Sequence, residues 1–431
     1  MPGHFGFPAS SRLKKLDRVL GSKKDLRPVK PLRVGITLEQ PLEVGGGFQQ
    51  SLNDLLWFCE WAKSADTEVV VFTPHAKSIS LLSDFGIKAE LLKAGILDHL
   101  ALALKYFRPF DLLQAVLRIR SPYEMRLMAR GIDLVYFTTP SNWHLLLYKL
   151  PFIITIFDGC HRDAPEFDEV REFGEFERRE MLFRSATTKA ALVVVNAEQL
   201  IDTLCKRYAM ERDRAVCIPL SPSTYVGRST ADGRDDDASV LAKYRLEPGY
   251  LFYPAQFWPH KNHATLLAAL ALLRDRGIRK RLVLCGSDRG ARSRLEALIV
   301  QYELTDQVSI LGFVDSAELG ALYRGALALV MPTYFGPTNL PPLEAWAVGT
   351  PVLYPEAFKA YVGDAAILFD YDSPPSLADA IVSLDSAEMC AQLRLAGTGR
   401  LKYFAGQIDE GRRQFTRHMQ RLKYRRTLTA G

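Results

Sequence analysis

The sequence predicts an α/β protein built from two Rossmann-like, doubly wound domains that face each other across a cleft. Three observations carry this expectation. With 431 residues, 48% of them hydrophobic, the chain is too long for one core, because single cores stop growing near ~250 residues. Short apolar strand-like runs alternate with helical patterns, as in a parallel sheet covered by helices. The alternation breaks once, over the polar stretch "PSTYVGRSTADGRDDDAS" from Pro222 to Ser239, and then restarts.

Along the chain, residues 1–30 form a basic leader. Arg12, Lys14, Lys15, Arg18, Lys23, Lys24, Arg27 and Lys30 crowd around Leu13, Leu16 and Leu20, which sit at helical spacing. Each cation near an anionic lipid surface contributes ~1 kcal/mol, so one expectation is a leader docked on an anionic membrane, and the other is a disordered basic tail. Residues 31–221 carry the strand candidates "LRVGITL", "EVVVFTP", "IDLVYFTTP", "FIITIFD", "ALVVVNA" and "AVCIPL", with helices such as "FQQSLNDLLWFCEWAKS" between them. The stretch Leu100 to Gly131 reads equally well as an amphipathic surface facing anionic lipid or as core helices with basic outer faces. Residues 222–247 read as a linker, and its "RDDDAS" as solvated acids rather than a metal site, since no strand end lies beside them. Residues 248–400 restart with "YLFYPAQ", "KRLVLCGS", "QVSILGF", "LALVMPT", "TPVLYP" and "AAILFD". Residues 401–431 read as a helix with a basic tail, expected to pack back on the first domain.

Composition narrows the function classes. The six cysteines are dispersed without a CxxC pair and sit mostly in apolar runs, which predicts reduced, buried thiols in a cytosolic chain, with neither zinc nor disulfide. No run approaches the roughly 20 apolar residues of a membrane span, and the leader lacks the apolar region of a signal peptide. The net charge of +6 is modest, and the basic clusters lie toward the ends and lack interleaved aromatic motifs, so no nucleic-acid partner is expected.

The strand-end loops hold the candidate site, because ligands of such sheets bind outside the carboxyl ends of the strands. Gly45, Gly46 and Gly47 precede the first long helix, where glycines permit close backbone approach and a helix N-terminus favours a phosphate or a sugar; plain turn chemistry explains such a cluster equally well. In "FWPHKNHATLLAAL", Lys261 stands beside a helix start with Asn262 as its cap and His260 and His263 flanking, which suits a diphosphate or is simply a solvated lysine. In "YFGPTNLPPLEAWAVGTPVLYP", Pro341 and Pro342 fit a first helical turn, Gly349 and Pro351 end the helix, and the Thr338–Leu340 backbone faces whatever lies beyond "LALVMPT". Glu344 is read in the first turn, either as an acid favoured by the helix dipole or as a partner for the two vicinal hydroxyls of a ribose.

At these residues the chain resembles the retaining glycosyltransferases of family 4, which have the GT-B fold. The resemblance runs from the Gly45 loop to "AAILFD" and is most specific in "FGPTNLPPLEAWAVGTPV" together with "FYPAQFWPHKNHATLLAAL". It implies a hexosyltransferase moving sugar from a nucleotide-diphosphate sugar to a glycan or lipid-linked acceptor, in cell-surface polysaccharide or lipopolysaccharide synthesis. By the resemblance, Lys261 binds the donor diphosphate and Glu344 the ribose, the backbone at Thr338, Asn339 and Leu340 holds sugar and phosphates, and Gly45 to Gly47 lie across the cleft. The chain would then be cytoplasmic, peripheral on the cytoplasmic face of a membrane where the leader docks.

The chain departs from the family's pattern in three places. The first glutamate of the family's E-x7-E motif is replaced by Gly336, the arginine that accompanies the lysine by Gln256, and the cleft histidine by Phe157. Asp158 keeps the adjacent acid, and Asp158 or His161 is expected to supply the polar contact that Phe157 cannot. The resemblance names no protein nucleophile, since the donor phosphate itself receives the acceptor proton, and no metal or other cofactor is expected, lysine and helix dipoles replacing Mg²⁺. Lys261, Asp158 and His161 are therefore the catalytic candidates. The alternatives are a nucleotide-sugar-binding subunit with weak or no catalysis, and a GT-B nucleotide-sugar epimerase.

Overall fold

The computed structural model describes residues 30–41, 45–106, 116–117, 119–223, 226, 234–336 and 338–429. The leader through residue 29 lies outside the described residues, as do Phe107, Arg108, Phe110, Leu113 and Arg118 of the amphipathic stretch.

Two parallel sheets form the frame. The first holds β1 (Leu32–Thr37), β2 (Thr67–Thr73), β3 (Ala89–Leu91), β4 (Leu134–Phe137), β5 (Phe152–Ile156), β6 (Leu192–Val195) and β7 (Ala215–Cys217), in the spatial order 3-2-1-4-5-6-7. The second holds β8 (Tyr250–Pro254), β9 (Leu282–Cys285), β10 (Val308–Ile310), β11 (Ala326–Val330), β12 (Val352–Pro355) and β13 (Ile367–Phe369), in the order 10-9-8-11-12-13. Their Val-, Ile- and Leu-rich runs suit strands buried on both faces. In each sheet the order reverses beside the first strand, between β1 and β4 and between β8 and β11, and there the following loops diverge to opposite faces. All the strands read from sequence are present. Only β3 was missed, because "AEL" is short and lacks the β-branched run that marks the others.

The helices that bear on the site are α1 (Gly45–Ser64), α2 (Glu175–Lys189), α3 (Arg234–Lys243), α4 (His263–Asp275), α5 (Leu340–Ala347) and α6 (Ala387–Thr429). Helix α1 starts at Gly45, so the three glycines form its first turn rather than a loop before it. Helix α3 corrects the linker reading: "RDDDASVLAK" is helical, and Asp237 receives two bonds from Arg324, at 2.6 and 2.5 Å. The acidic run is anchored by that pair to the second domain.

Helix α6 joins the two domains. Its first half packs on the second, where Phe404 contacts Tyr361 (ring centroids 5.4 Å apart) and Arg400 donates to the Tyr361 carbonyl. Its second half completes the core of the first. Phe415 and Met419, fully buried, join Val34, Ile36, Leu52 and Leu55 in one cluster, and Phe415 lies edge-on to Trp57 and Trp61 at 5.2 and 5.8 Å. Gly411 permits the approach, since a Cβ there would stand 2.1 Å from the Cys217 carbonyl oxygen at the end of β7. The expected return of this helix to the first domain is found, and the helix begins earlier, at Ala387.

Candidate functional site

A cavity of about 490 Å³ lies between the carboxyl ends of the two sheets. The first domain contributes Gln40 after β1, Gly47, Gln49 and Gln50 from the start of α1, and Phe157 after β5. The second contributes the loops after β8 (to Lys261), β9 (Gly286, Ser287), β10 (Phe313) and β11 (Thr338 to Glu344).

Lys261 closes a short 3-10 turn, Pro259–Lys261, whose backbone is held by the Trp258 carbonyl (3.1 Å) and the Tyr253 hydroxyl (2.9 Å). Its ammonium makes no hydrogen bond or ion pair among the described residues. Burial pushes it down to about 8, against the opposite pull of Cys160, Asp158 and Glu169 across the cleft. An unpaired cation in a cavity is ready for an anionic ligand. Asn262 stands at the cap position but does not cap: with φ at +54° it turns its amide to the Tyr371 carbonyl (2.8 Å) and accepts from Thr265. His263 is a core residue, packed on Tyr253 and Phe257.

Glu344 is the fifth residue of α5 and therefore lies beyond the first turn where it was expected. It is 5% exposed, and its Oε2 accepts from the Tyr323 hydroxyl at 2.9 Å. Burial pushes its carboxyl up to about 7, although Tyr323 and Ser223 pull the other way. The helix-dipole reading is replaced by that of a buried acid lining the cavity with hydrogen-bonding capacity to spare.

The turn before α5 explains Gly336. Its φ is +100°, and a Cβ there would meet Asn339 Nδ2 at 2.7 Å. That amide donates to the carbonyls of Phe335 and Gly336 and to the Tyr354 hydroxyl, while Tyr361 donates to the Asn339 carbonyl at 2.6 Å. The volume where a side chain at 336 would begin is thus filled by Asn339. Gln256 lines the cavity and accepts from Trp258 Nε1 at 3.0 Å.

Two expected catalytic residues are placed elsewhere. His161 is fully buried and bonds Glu180 of α2 at 2.9 Å, inside a cluster with Arg162 and Tyr208. Burial pushes its imidazole down, and its Nε2 is taken up by Glu180. Asp158 does not line the cavity either: its carboxylate accepts from the Cys160 backbone (3.1 Å) and Arg179 (3.3 Å). Phe157 itself lines the cavity, and neither Asp158 nor His161 places a polar group beside its ring there.

Sequence reasoning missed Gln40, Gln49 and Gln50, although two of them lie just past the glycines, after Phe48. It also missed Glu169, for which no local signal exists. Glu169, in a 3-10 turn of the first domain, hydrogen-bonds His260 Nδ1 of the second. Beside this bond Phe167 packs on Tyr334 and Phe335, and His260 stacks on Phe335 at 4.4 Å. Among the described residues no group of three or more His, Cys, Asp or Glu side chains is placed to hold a metal ion, and no helix is long and apolar enough to cross a membrane.

Residues 241–397 match the family model of the glycosyl transferases group 1. The chain is 30% identical over 197 residues to the O-antigen chain mannosyltransferase B of Escherichia coli, covering 44% of this chain and 50% of that protein. It is 32% identical over 149 residues to the O-antigen chain mannosyltransferase RfbU of Salmonella typhimurium, covering 34% and 41%. It therefore spans half the length, or less, of these curated relatives. Among solved structures, Anabaena Alr3699/HepE in complex with UDP-glucose superposes with a TM-score of 0.65 at 14% identity, over 88% of this chain and 98% of that one. WaaG, a glycosyltransferase involved in lipopolysaccharide biosynthesis, superposes with a TM-score of 0.60 at 16% identity, over 86% and 95%. At such identities the superpositions speak to the fold, which is GT-B. The match to the glycosyl transferases group 1 model thus falls on residues 241–397, the segment that builds the Lys261 and Glu344 wall of the cavity.

Proposed function

We propose that the protein is a retaining glycosyltransferase that moves a hexose from a nucleotide-diphosphate sugar to a glycan or lipid-linked acceptor in cell-surface polysaccharide synthesis. One observation carries the reading: an unpaired ammonium, Lys261, and a buried carboxyl, Glu344, line the same cavity at the switch point of the second sheet. The ammonium suits a diphosphate, and the carboxyl suits the vicinal hydroxyls of a ribose. The names of the mannosyltransferase relatives and the UDP-glucose bound by the Anabaena protein support this assignment. Catalysis would then consist of positioning the donor and stabilising the departing diphosphate with Lys261 and backbone amides. The donor phosphate would take the acceptor proton, and no metal would be needed. An anionic membrane surface beside the acceptor is part of the same proposal.

The test is a thermal-shift and titration series with nucleoside diphosphates and sugar nucleotides, followed by transfer assays with and without chelator. A donor should stabilise the fold by mass action. Lys261→Ala should weaken diphosphate binding, and Glu344→Ala nucleoside binding, each by about 1.5–3 kcal/mol, or roughly 10- to 150-fold. Unchanged titrations in both variants overturn the site, and donor binding without transfer to any acceptor would favour a binding subunit.

A further inference from the structure

The two walls of the cavity differ in chemistry. The second domain offers the Lys261 ammonium and the Glu344 carboxyl, whereas the first offers, among the described residues, three carboxamides, Gln40, Gln49 and Gln50, and no charged side chain. Gln49 and Gln50 are 7% and 4% exposed, and the amide oxygen of each has no hydrogen-bond partner among the described residues. A buried acceptor left without a donor is unfavourable unless an ordered water or a ligand supplies one.

Neighbouring groups fix the orientation. Gln50 gives its Nε2 to Asp54 Oδ1, one turn further along α1, at 2.8 Å, so its carbonyl is the group left over. Gln40 packs on the first turn of the same helix, its Oε1 lying 2.7 Å from where a Cβ of Gly47 would stand. Gly47 therefore makes room for a third amide in this wall, a use of the glycine unlike phosphate binding.

Carboxamides both donate and accept and carry no charge, which matches the hydroxyls of a neutral sugar ring. A carboxylated sugar would call for a cation, and this wall has none among the described residues. The same cavity is lined on its other side by Asn339, whose Nδ2 is engaged with the carbonyls of Phe335 and Gly336 and the Tyr354 hydroxyl, in the turn where Gly336 supplies no side chain. We infer that Gln40, Gln49 and Gln50 form the hexose-reading subsite of the cavity, and that the transferred sugar is an uncharged hexose. This rests on the donor-site reading above.

The experiment separates the two. Wild-type protein is titrated with UDP, GDP, UDP-glucose, GDP-mannose and UDP-glucuronate, and the preference for sugar nucleotide over its parent diphosphate is measured. The same titrations follow for Gln49→Leu and for Gln50→Met, the second in case the first does not fold. The expected result is unchanged affinity for the parent diphosphate, which also reports an intact fold, and a preference for the neutral sugar nucleotide that falls about 3- to 10-fold per variant. If no nucleoside diphosphate binds the wild type, the donor-site reading fails and this inference with it. If diphosphates bind and both variants keep the wild-type preference, the subsite alone is wrong. If UDP-glucuronate binds as well as UDP-glucose, the restriction to uncharged hexoses is wrong.

Discussion

Glu344 and Asp54 show how a cavity is maintained against stability. Each is more than nine-tenths buried, and burial raises each carboxyl to about 7, from 4.5 and 3.8 respectively. Between the unfolded and folded values the folded state holds a proton that the unfolded state has released. The contribution to stability is therefore complete below the unfolded value and is lost as pH rises to about 7. Replacing Glu344 by Gln removes the titration while keeping an acceptor for Tyr323. Urea unfolding of wild type and Glu344→Gln at pH 5 and pH 8 should show the variant gaining about 2.5 kcal/mol relative to wild type over that range. An equal pH dependence in both would show that the carboxyl is not held neutral in the fold.

Helix α6 is a core element of a domain far from it in sequence. Phe415→Ala should destabilise the protein by about 3–5 kcal/mol, read from the urea midpoint, because a fully buried ring is removed from among Trp57, Phe58 and Trp61. A loss below about 1 kcal/mol would mean the helix merely rests on the surface. The elements were largely legible in the sequence because strand runs such as "LVVV" and "LVLC" and the capping signals are local. What was not legible was directional. Asp158 and His161 were well placed by strand order, but His161 turns inward to Glu180, a partner nineteen residues on whose role only the packing of α2 decides. Glu344 was singled out from its own loop-and-helix context, yet its turn in the helix was misplaced because two prolines marked the start one residue late. Gln49 and Gln50 were overlooked because glycines drew attention to the backbone beside them.

Across the cleft the two domains meet through the His260–Glu169 bond and the packing of Phe167 on Tyr334 and Phe335. Relative motion of two such domains is the ordinary expectation. Glu169→Gln should shift small-angle scattering toward a more open shape and weaken sugar-nucleotide binding roughly 2- to 12-fold, the weight of one hydrogen bond. Scattering and binding identical to wild type would show that the bond does not hold the cleft. Helix α6 also sets an order of events in synthesis. Domains usually fold as they leave the ribosome, the first before the second. Here the first sheet emerges with the groove for Phe415 and Met419 empty, and it stays so until the whole second sheet has been translated. The nascent first domain must therefore carry an uncovered aromatic groove around Trp57 and Trp61 for most of its elongation, and a chaperone that shields such surfaces has its longest opportunity there.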